Sequence, residues 1–216
     1  MELAIILLII SYLLGSIPFG LMIGKAAGKD LRTSGSGNIG STNAVRILGF
    51  KLGLLAGLCD VIKGTLVIFV IYILEANNVW HNPIVIDGES IYAVYGLAAV
   101  IGHCFSIFLK FKGGKAVATS LGVLLATVPL AGVAALVFFF PVVLITKYVS
   151  VSSTAAAIGA TLTSFIVYGL IIGNGLYTSI VVLVLGITII IKHIPNYKRL
   201  ANGTENKFSS KNKKTA

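Results

Sequence analysis

Seven stretches of the chain are almost unbroken runs of Leu, Ile, Val, Ala, Phe and Gly: Leu3–Gly24, Lys51–Leu74, Ile91–Leu109, Ala116–Leu130, Ala131–Thr146, Ser153–Ile172 and Tyr177–Ile191. They lack the strict alternation of a half-buried strand, and most approach the roughly 20 residues with which a helix crosses about 30 Å of hydrocarbon. Backbone amides in lipid must be satisfied within their own segment, so long continuous runs favour helices over a barrel. The pattern predicts an all-α polytopic membrane protein with seven transmembrane helices in a single domain over residues 1–207. The polar, basic end, 208–216, is expected to be a disordered tail drawn to headgroups. Within the 31 residues from Ala116 to Thr146, Thr127-Val128-Pro129 is either a kink in one helix or a turn between two. The length of the run favours two.

The polar intervals sharpen this picture. All 17 Lys and Arg residues fall on one side of the predicted spans, while the other side carries Glu2, Glu75, Asp87 and Glu89. By the positive-inside rule the N-terminus is expected outside and the C-terminus in the cytoplasm. The net charge of +10 in a chain of mean hydropathy +0.98 is then a property of one membrane face, and nucleic acid is not an expected partner. The first run lacks a basic leader and reads as a retained helix rather than a cleaved signal. Cys59 and Cys104 sit near the basic face, where a structural disulfide is not expected.

Four polar segments on the basic face carry candidate chemistry. Ser34–Arg46, SGSGNIGSTNAVR, has almost no apolar surface. Its glycines let successive amides point into one concavity suited to phosphate oxygens, and Ser36, Gly37, Asn38, Gly40, Thr42, Asn43 and Arg46 are its candidate ligands. A flexible linker is the plainer alternative, but polar side chains spaced among the glycines favour an ordered loop. In the second segment, Lys112-Gly113-Gly114-Lys115 precedes the fourth span, so glycine amides, a helix N-terminus and a lysine converge as at an anion site; positive-inside charge on a short turn explains it equally well. In the third, Lys147–Thr154, Ser152 or Ser153 fits the N-cap of the sixth span. The fourth, Lys192–Lys207, holds His193, Asn196, Arg199 and Glu205. Asp60 and Lys63, one helical turn apart inside the second span, are an expected ion pair.

No serine-hydrolase elbow, metal-ligand motif or H-x-x-x-x-D dyad is present, which disfavours covalent and metal mechanisms. What remains is a cationic, amide-lined site beside lipid. Ser36-Gly37-Asn38-Ile39-Gly40-Ser41-Thr42-Asn43…Arg46, Asp60-x-x-Lys63-Gly64, Gly102-His103-x-Phe105…Phe111-Lys112-Gly113-Gly114-Lys115-x-Val117-Ala118-Thr119 and His193…Asn196…Arg199-Leu200…Gly203-x-Glu205 together resemble the bacterial acyl-phosphate:glycerol-3-phosphate acyltransferase family, PlsY, in order over nearly the whole chain.

The resemblance implies acyl transfer from a fatty acyl phosphate to the 1-hydroxyl of glycerol 3-phosphate, giving lysophosphatidic acid and phosphate. It implies a multi-pass protein of the bacterial inner membrane with its site facing the cytoplasm, no cofactor or metal, and no direct need for acyl carrier protein or coenzyme A. It points to His193, Lys115, Arg46 and Ser152 as catalytic. Ser36, Gly37, Asn38, Gly40, Thr42, Asn43, Lys63, His103, Lys112, Gly113, Gly114, Asn196, Arg199 and Glu205 become the substrate-binding set. Whether His193 or a substrate phosphate takes the hydroxyl proton stays open. Ser41, Ala116 and Tyr197 depart from the family's common Ala, Gly and Ile. A transporter of a phosphorylated metabolite is the alternative; it would want polar groups at mid-membrane and repeated broken helices, which the apolar helix centres do not offer.

Overall fold

The computed structural model describes residues 1–208, so eight of the nine residues of the expected tail lie outside the described residues. Its helices follow the apolar runs but break them where backbone chemistry demands. α1 (Glu2–Ser16) and α2 (Phe19–Ala26) share the first run, parted at Ile17-Pro18 because Pro18 has no N–H to continue the helix. A polar loop leads to α3 (Ser41–Leu48), and α4 (Phe50–Ala76) is continuous for 27 residues. A short hairpin, β1 (Val85–Ile86) and β2 (Glu89–Ser90), turns at Asp87-Gly88, both with positive φ. α5 (Ala93–Cys104) ends in a 3₁₀ turn, Ile107–Leu109. α6 (Val117–Thr127), α7 (Pro129–Thr146) and α8 (Val149–Thr163) follow, α8 running on as a π-helical segment, Ser164–Ile171. α9 (Leu176–Lys192) and α10 (Ile194–Ala201) complete the order.

Among the described residues, four helical segments are long and apolar enough to cross a membrane: Glu2–Ala26, Phe50–Ala76, Pro129–Thr146 and Val149–Ile171. The pair α9 and α10, bent by 45°, makes a fifth if taken as one span. The expectation of seven spans is therefore met only in part. α5 has 12 residues and α6 has 11, roughly 16–18 Å of helix, about half the hydrocarbon thickness. α6 is short because Ala116, with φ of 57°, starts it from a left-handed residue and Pro129 cannot extend it. Pro129 is the first residue of α7, and Gly132 one turn on lies against Leu125 of α6. The Pro129 break is thus a turn between two helices. α8 also begins earlier than expected, at Val149. Ser152 and Ser153 are not caps but bond back to the Tyr148 and Val149 carbonyls.

Small residues let the helices approach backbone to backbone. A Cβ on Gly64 of α4 would lie 2.2 Å from the Thr119 carbonyl oxygen of α6, and one on Gly122 of α6 would lie 2.1 Å from the Val61 carbonyl oxygen of α4. In lipid, where apolar side chains gain little from burial against each other, such close packing supplies much of the association energy. Ile68, Val100, Val123 and Leu185 fill the centre where α4, α5, α6 and α9 meet. Large side chains such as Ile9, Phe69, Phe138, Ile166 and Leu183 face outward, as lipid contact requires.

Glu75, Asp87 and Glu89 gather at the end with the hairpin. Glu89 accepts hydrogen bonds from the Tyr177 and Thr178 amides at 2.9 and 2.7 Å, capping α9 from another element. Glu75 accepts from the Asn82 amide and the Tyr92 hydroxyl. Cys59 and Cys104 are both free. Gly64→Val is expected to force α4 and α6 apart at a cost of about 1–3 kcal/mol. A lowered thermal midpoint in detergent checks this. Gly169→Val, at a position where a Cβ meets nothing within 4 Å, serves as the neutral control.

Candidate active site

A cavity of about 270 Å³ opens beside α3, between the start of α6 and the α9–α10 bend. Its polar end is built from all four polar segments, the third of which forms the first turns of α8. Ser36, Asn38, Gly40, Ser41, Thr42, Asn43 and Arg46 come from the loop and α3, Lys115 from the turn before α6, and His193, Asn196 and Glu205 from the chain beyond α9. Its other end is apolar, walled by Leu121 and Leu124 of α6, Leu136 and Phe139 of α7 and Ala156 and Ala157 of α8. The cavity is therefore amphiphilic along its length.

The first loop is ordered by one side chain. Buried Asn43 donates to the carbonyls of Leu31, Ser34 and Asn38 at 3.0, 3.1 and 2.8 Å and accepts the Ser36 amide at 3.0 Å. Gly35, at φ of 62°, lies so close that a Cβ would meet the Asn43 side-chain oxygen at 2.3 Å. The expected nest of glycine amides does not form. The Gly37 amide bonds Ser34 and the Gly40 amide bonds the Asn38 side chain, so Gly37, Asn38 and Asn43 build the loop. What the loop presents is the N-terminus of α3, whose Ser41 and Thr42 amides precede the first intrahelical bond, beside the Ser36 hydroxyl.

The cations are arranged around a single carboxylate. Glu205 accepts from Asn196 Nδ2 at 2.6 Å, Ser150 Oγ at 3.2 Å and Arg199 Nε at 2.8 Å. Asn196 in turn accepts a hydrogen bond from the Lys115 ammonium. Burial would raise Glu205, but the donors from Asn196 and Arg199 outweigh it and hold the carboxyl below its ordinary value. Burial pushes Lys115 down to about 8; Glu205 opposes the shift, while Arg199 and Arg46 add to it. Burial likewise lowers half-buried Arg46 from its usual value. Among the described residues Arg46 makes no ion pair, leaving its guanidinium open to the cavity. His193 is held down to about 4, first by burial and then by Lys115, so its ring is neutral near pH 7. Its Nδ1 lies 2.8 Å from the Ile189 carbonyl, which fixes Nδ1–H and leaves Nε2 as the acceptor.

Other expected ligands sit elsewhere. Ser152 turns away from the cavity, bonding Tyr148, while Ser150 and Ser153, three residues apart on one helical face, line it. That spacing was the readable signal. Lys63 is buried against Asp60 at 2.8 Å and donates to the Ile17 carbonyl at 2.9 Å, the acceptor freed by the Pro18 break, so its ammonium is engaged away from the cavity wall. Lys112 is exposed, Gly113 and Gly114 pack against His103 behind the Lys115 turn, and the Arg199 side chain, among the described residues, bonds Glu205. His103 and Asp60 reach the cavity wall with 5% and 2% exposure. The apolar wall was invisible in the sequence, because its residues look like any other lipid-facing run.

The chain matches a family model described as glycerol-3-phosphate acyltransferase over residues 5–203. It is 44% identical over 205 residues to glycerol-3-phosphate acyltransferase 2 of Bacillus anthracis, covering 94% of this chain and 98% of that one. It is 45% identical over 204 residues to the glycerol-3-phosphate acyltransferase of Bacillus velezensis, covering 94% and 96%. Its fold is similar to the crystal structure of PlsY (YgiH), an integral membrane glycerol 3-phosphate acyltransferase, in the glycerol 3-phosphate form, with a TM-score of 0.82, 36% identity and 96% of each chain covered. The lysophosphatidic acid form gives 0.80 and 35% over the same shares.

An ammonium with its proton affinity lowered to about 8 loses its charge as pH rises through that value. Sulfate, which does not titrate in this range, is expected to bind the purified protein progressively more weakly from pH 7 to pH 9. Lys115→Arg, whose guanidinium stays charged, is expected to flatten that dependence. Isothermal titration at each pH checks both.

Proposed function

The chain belongs to the glycerol-3-phosphate acyltransferase family, and on that premise we propose that it transfers a fatty acyl group from acyl phosphate to the 1-hydroxyl of glycerol 3-phosphate, giving lysophosphatidic acid and inorganic phosphate. The observation that carries this is the amphiphilic cavity: a cationic end with two helix N-termini suits phosphate, and it is continuous with an apolar wall that suits an acyl chain. A mixed anhydride has a good leaving group, so positioning and charge stabilisation suffice and no covalent intermediate is needed.

In this reading the acceptor's phosphate sits against the α3 N-terminus, the Ser36 hydroxyl and Arg46. The acyl phosphate sits with its phosphate near Lys115 and the Val117 and Ala118 amides at the start of α6, its chain running between α6, α7 and α8. The glycerol hydroxyl oxygen attacks the acyl carbon, the bond from that carbon to the phosphate oxygen breaks, and phosphate departs with the electron pair. His193 Nε2 accepts the hydroxyl's hydrogen bond and aims it. A group held near 4 is a weak proton acceptor, so the proton ends on the departing phosphate, whose basicity is higher. Neither acyl carrier protein nor coenzyme A has a part in this scheme.

The same reading makes the first helix pair, α4, α5, α6, α7, α8 and α9 seven crossings of the bacterial inner membrane, with the N-terminus outside and the site at the cytoplasmic face. The gathering of acidic side chains at the hairpin end and of cations around the cavity supports that orientation. Half-length α5 and α6 are tolerable where their ends line a polar cavity instead of meeting lipid.

Purified protein given palmitoyl phosphate and glycerol 3-phosphate is expected to release phosphate and lysophosphatidic acid in equal amounts, and to form no product from palmitoyl coenzyme A. Arg46→Ala and Lys115→Ala are each expected to lose about 100-fold or more in turnover while remaining folded. Product formed only with the coenzyme A ester would overturn the donor assignment. Full activity in both variants would overturn the phosphate sites.

A further inference from the structure

Behind the Lys115 turn lies a set of buried polar groups that the proposed reaction does not use. Asp60, Lys63 and His103 are 2%, 3% and 5% exposed. Lys63 has a task of its own, neutralising Asp60 and satisfying the Ile17 carbonyl. His103 does not share it. Its Nδ1 faces Asp60 Oδ1, the oxygen that lies 2.8 Å from the Lys63 ammonium, at 3.6 Å, and among the described residues this Nδ1 has no hydrogen-bond partner. A buried ionic cluster is commonly replaceable by apolar residues without loss of stability, so stability alone is a weak reason for this one.

The other edge of the ring supplies the reason. A Cβ on Gly114 would lie 2.2 Å from His103 Nε2, and one on Gly113 would lie 2.0 Å from the His103 carbonyl oxygen. That carbonyl accepts the Gly114 amide at 3.0 Å. The next carbonyl, of Cys104, accepts the Lys192 ammonium at 3.1 Å, one residue before His193. The end of α5 therefore holds both the turn that carries Lys115 and the helix end that carries His193. Asp60 sits on the far side of the ring and restricts its rotation.

We propose that the Asp60–His103 pair is a positioning device for the reaction: it presses the imidazole against Gly114, fixing the Gly113-Gly114 turn so that the Lys115 ammonium stays in the cavity. His103 and Asp60 act through Lys115 and touch neither reacting atom. The proposal rests on Lys115 being a phosphate ligand. The groups that set the charge of Lys115 are Asn196, Arg199 and Glu205 beyond α9, Arg46 from α3 and Lys192 and His193 at the α9 end; none of them is changed below.

The test uses the full-length protein in detergent, with lysophosphatidic acid formation as rate and sulfate binding as a donor-free readout. His103→Asn is expected to lower kcat by about 10–100-fold, the cost of a small misplacement of a catalytic group. It is also expected to move the alkaline limb of kcat/KM upward from about pH 8, because a loosened Lys115 regains water. Gly114→Ala is expected to lower kcat alone, and combined with His103→Asn to lose no more than the worse single variant, since both break one contact. Asp60→Asn keeps the shape and reads the same limb if His103→Asn does not purify folded. Losses that multiply, or a limb that stays at the wild-type pH in both His103→Asn and Asp60→Asn, would overturn the proposal. A wild type with no limb and a fully active Lys115→Ala would remove the Lys115 premise itself, and the proposal with it.

Discussion

The site is organised around one buried carboxylate. Glu205 gathers donors from α8 through Ser150 and from α10 through Asn196 and Arg199, and through Asn196 it reaches Lys115 before α6. Without a negative group here, Lys115, Arg46 and Arg199 would repel one another at short range in a medium that screens poorly. With it, the cluster keeps an excess of positive charge that is held in place. The arrangement also closes the chain. Glu205 and Asn206 form part of the cavity wall, and the Phe208 amide bonds the Lys147 carbonyl at the end of α7. A polar segment after the last apolar run is thereby made part of the bundle.

The second constraint is the short α6. A helix that began at the membrane surface would spend its free N-terminal amides on water. Ala116, buried and left-handed, starts this one inside the bundle, so Val117 and Ala118, whose amides precede the first intrahelical bond, line the cavity. Further along the same helix, Leu121 and Leu124 form part of the apolar wall. One short element thus spans the junction between polar and apolar ends, the place where the two halves of an acyl phosphate meet in the proposed reaction. The close contacts of Gly64 and Gly122 hold that element rigidly against α4.

Much of this was legible from residue order. The apolar runs located the helices, and the four polar segments located the site; Arg46, Lys115, His193, Asn196 and Glu205 all reach one cavity. What could not be read was direction. Ser152 and Ser153 are equivalent in composition, and only the start of α8 at Val149 decides which faces inward. The glycines of Ser34–Arg46 suggested amides free to bind, but Asn43 consumes that freedom to fold the loop, a tertiary fact with no local signature. The Asp60–Lys63 pair one turn apart was readable, but the second partner of Lys63, the Ile17 carbonyl, is 46 residues away and left no local sign. The lengths of α5 and α6 were overestimated because an apolar run records what can enter lipid and not where the backbone must break.

These particulars bear on why the chemistry needs so few groups. A neutral His193 with one nitrogen committed to Ile189 can accept a hydrogen bond but not compete for a proton against a phosphate oxygen. A strong base in its place would be protonated near neutral pH and would add one more cation beside Lys115. The low proton affinity of His193 and the positive surroundings of Lys115 therefore have the same origin, burial beside clustered cations. The cationic environment to which the proposal assigns two phosphates rules out an efficient protein base. In the proposed reaction the departing phosphate resolves this conflict, because it brings both the negative charge that the cations select and the oxygen that takes the proton.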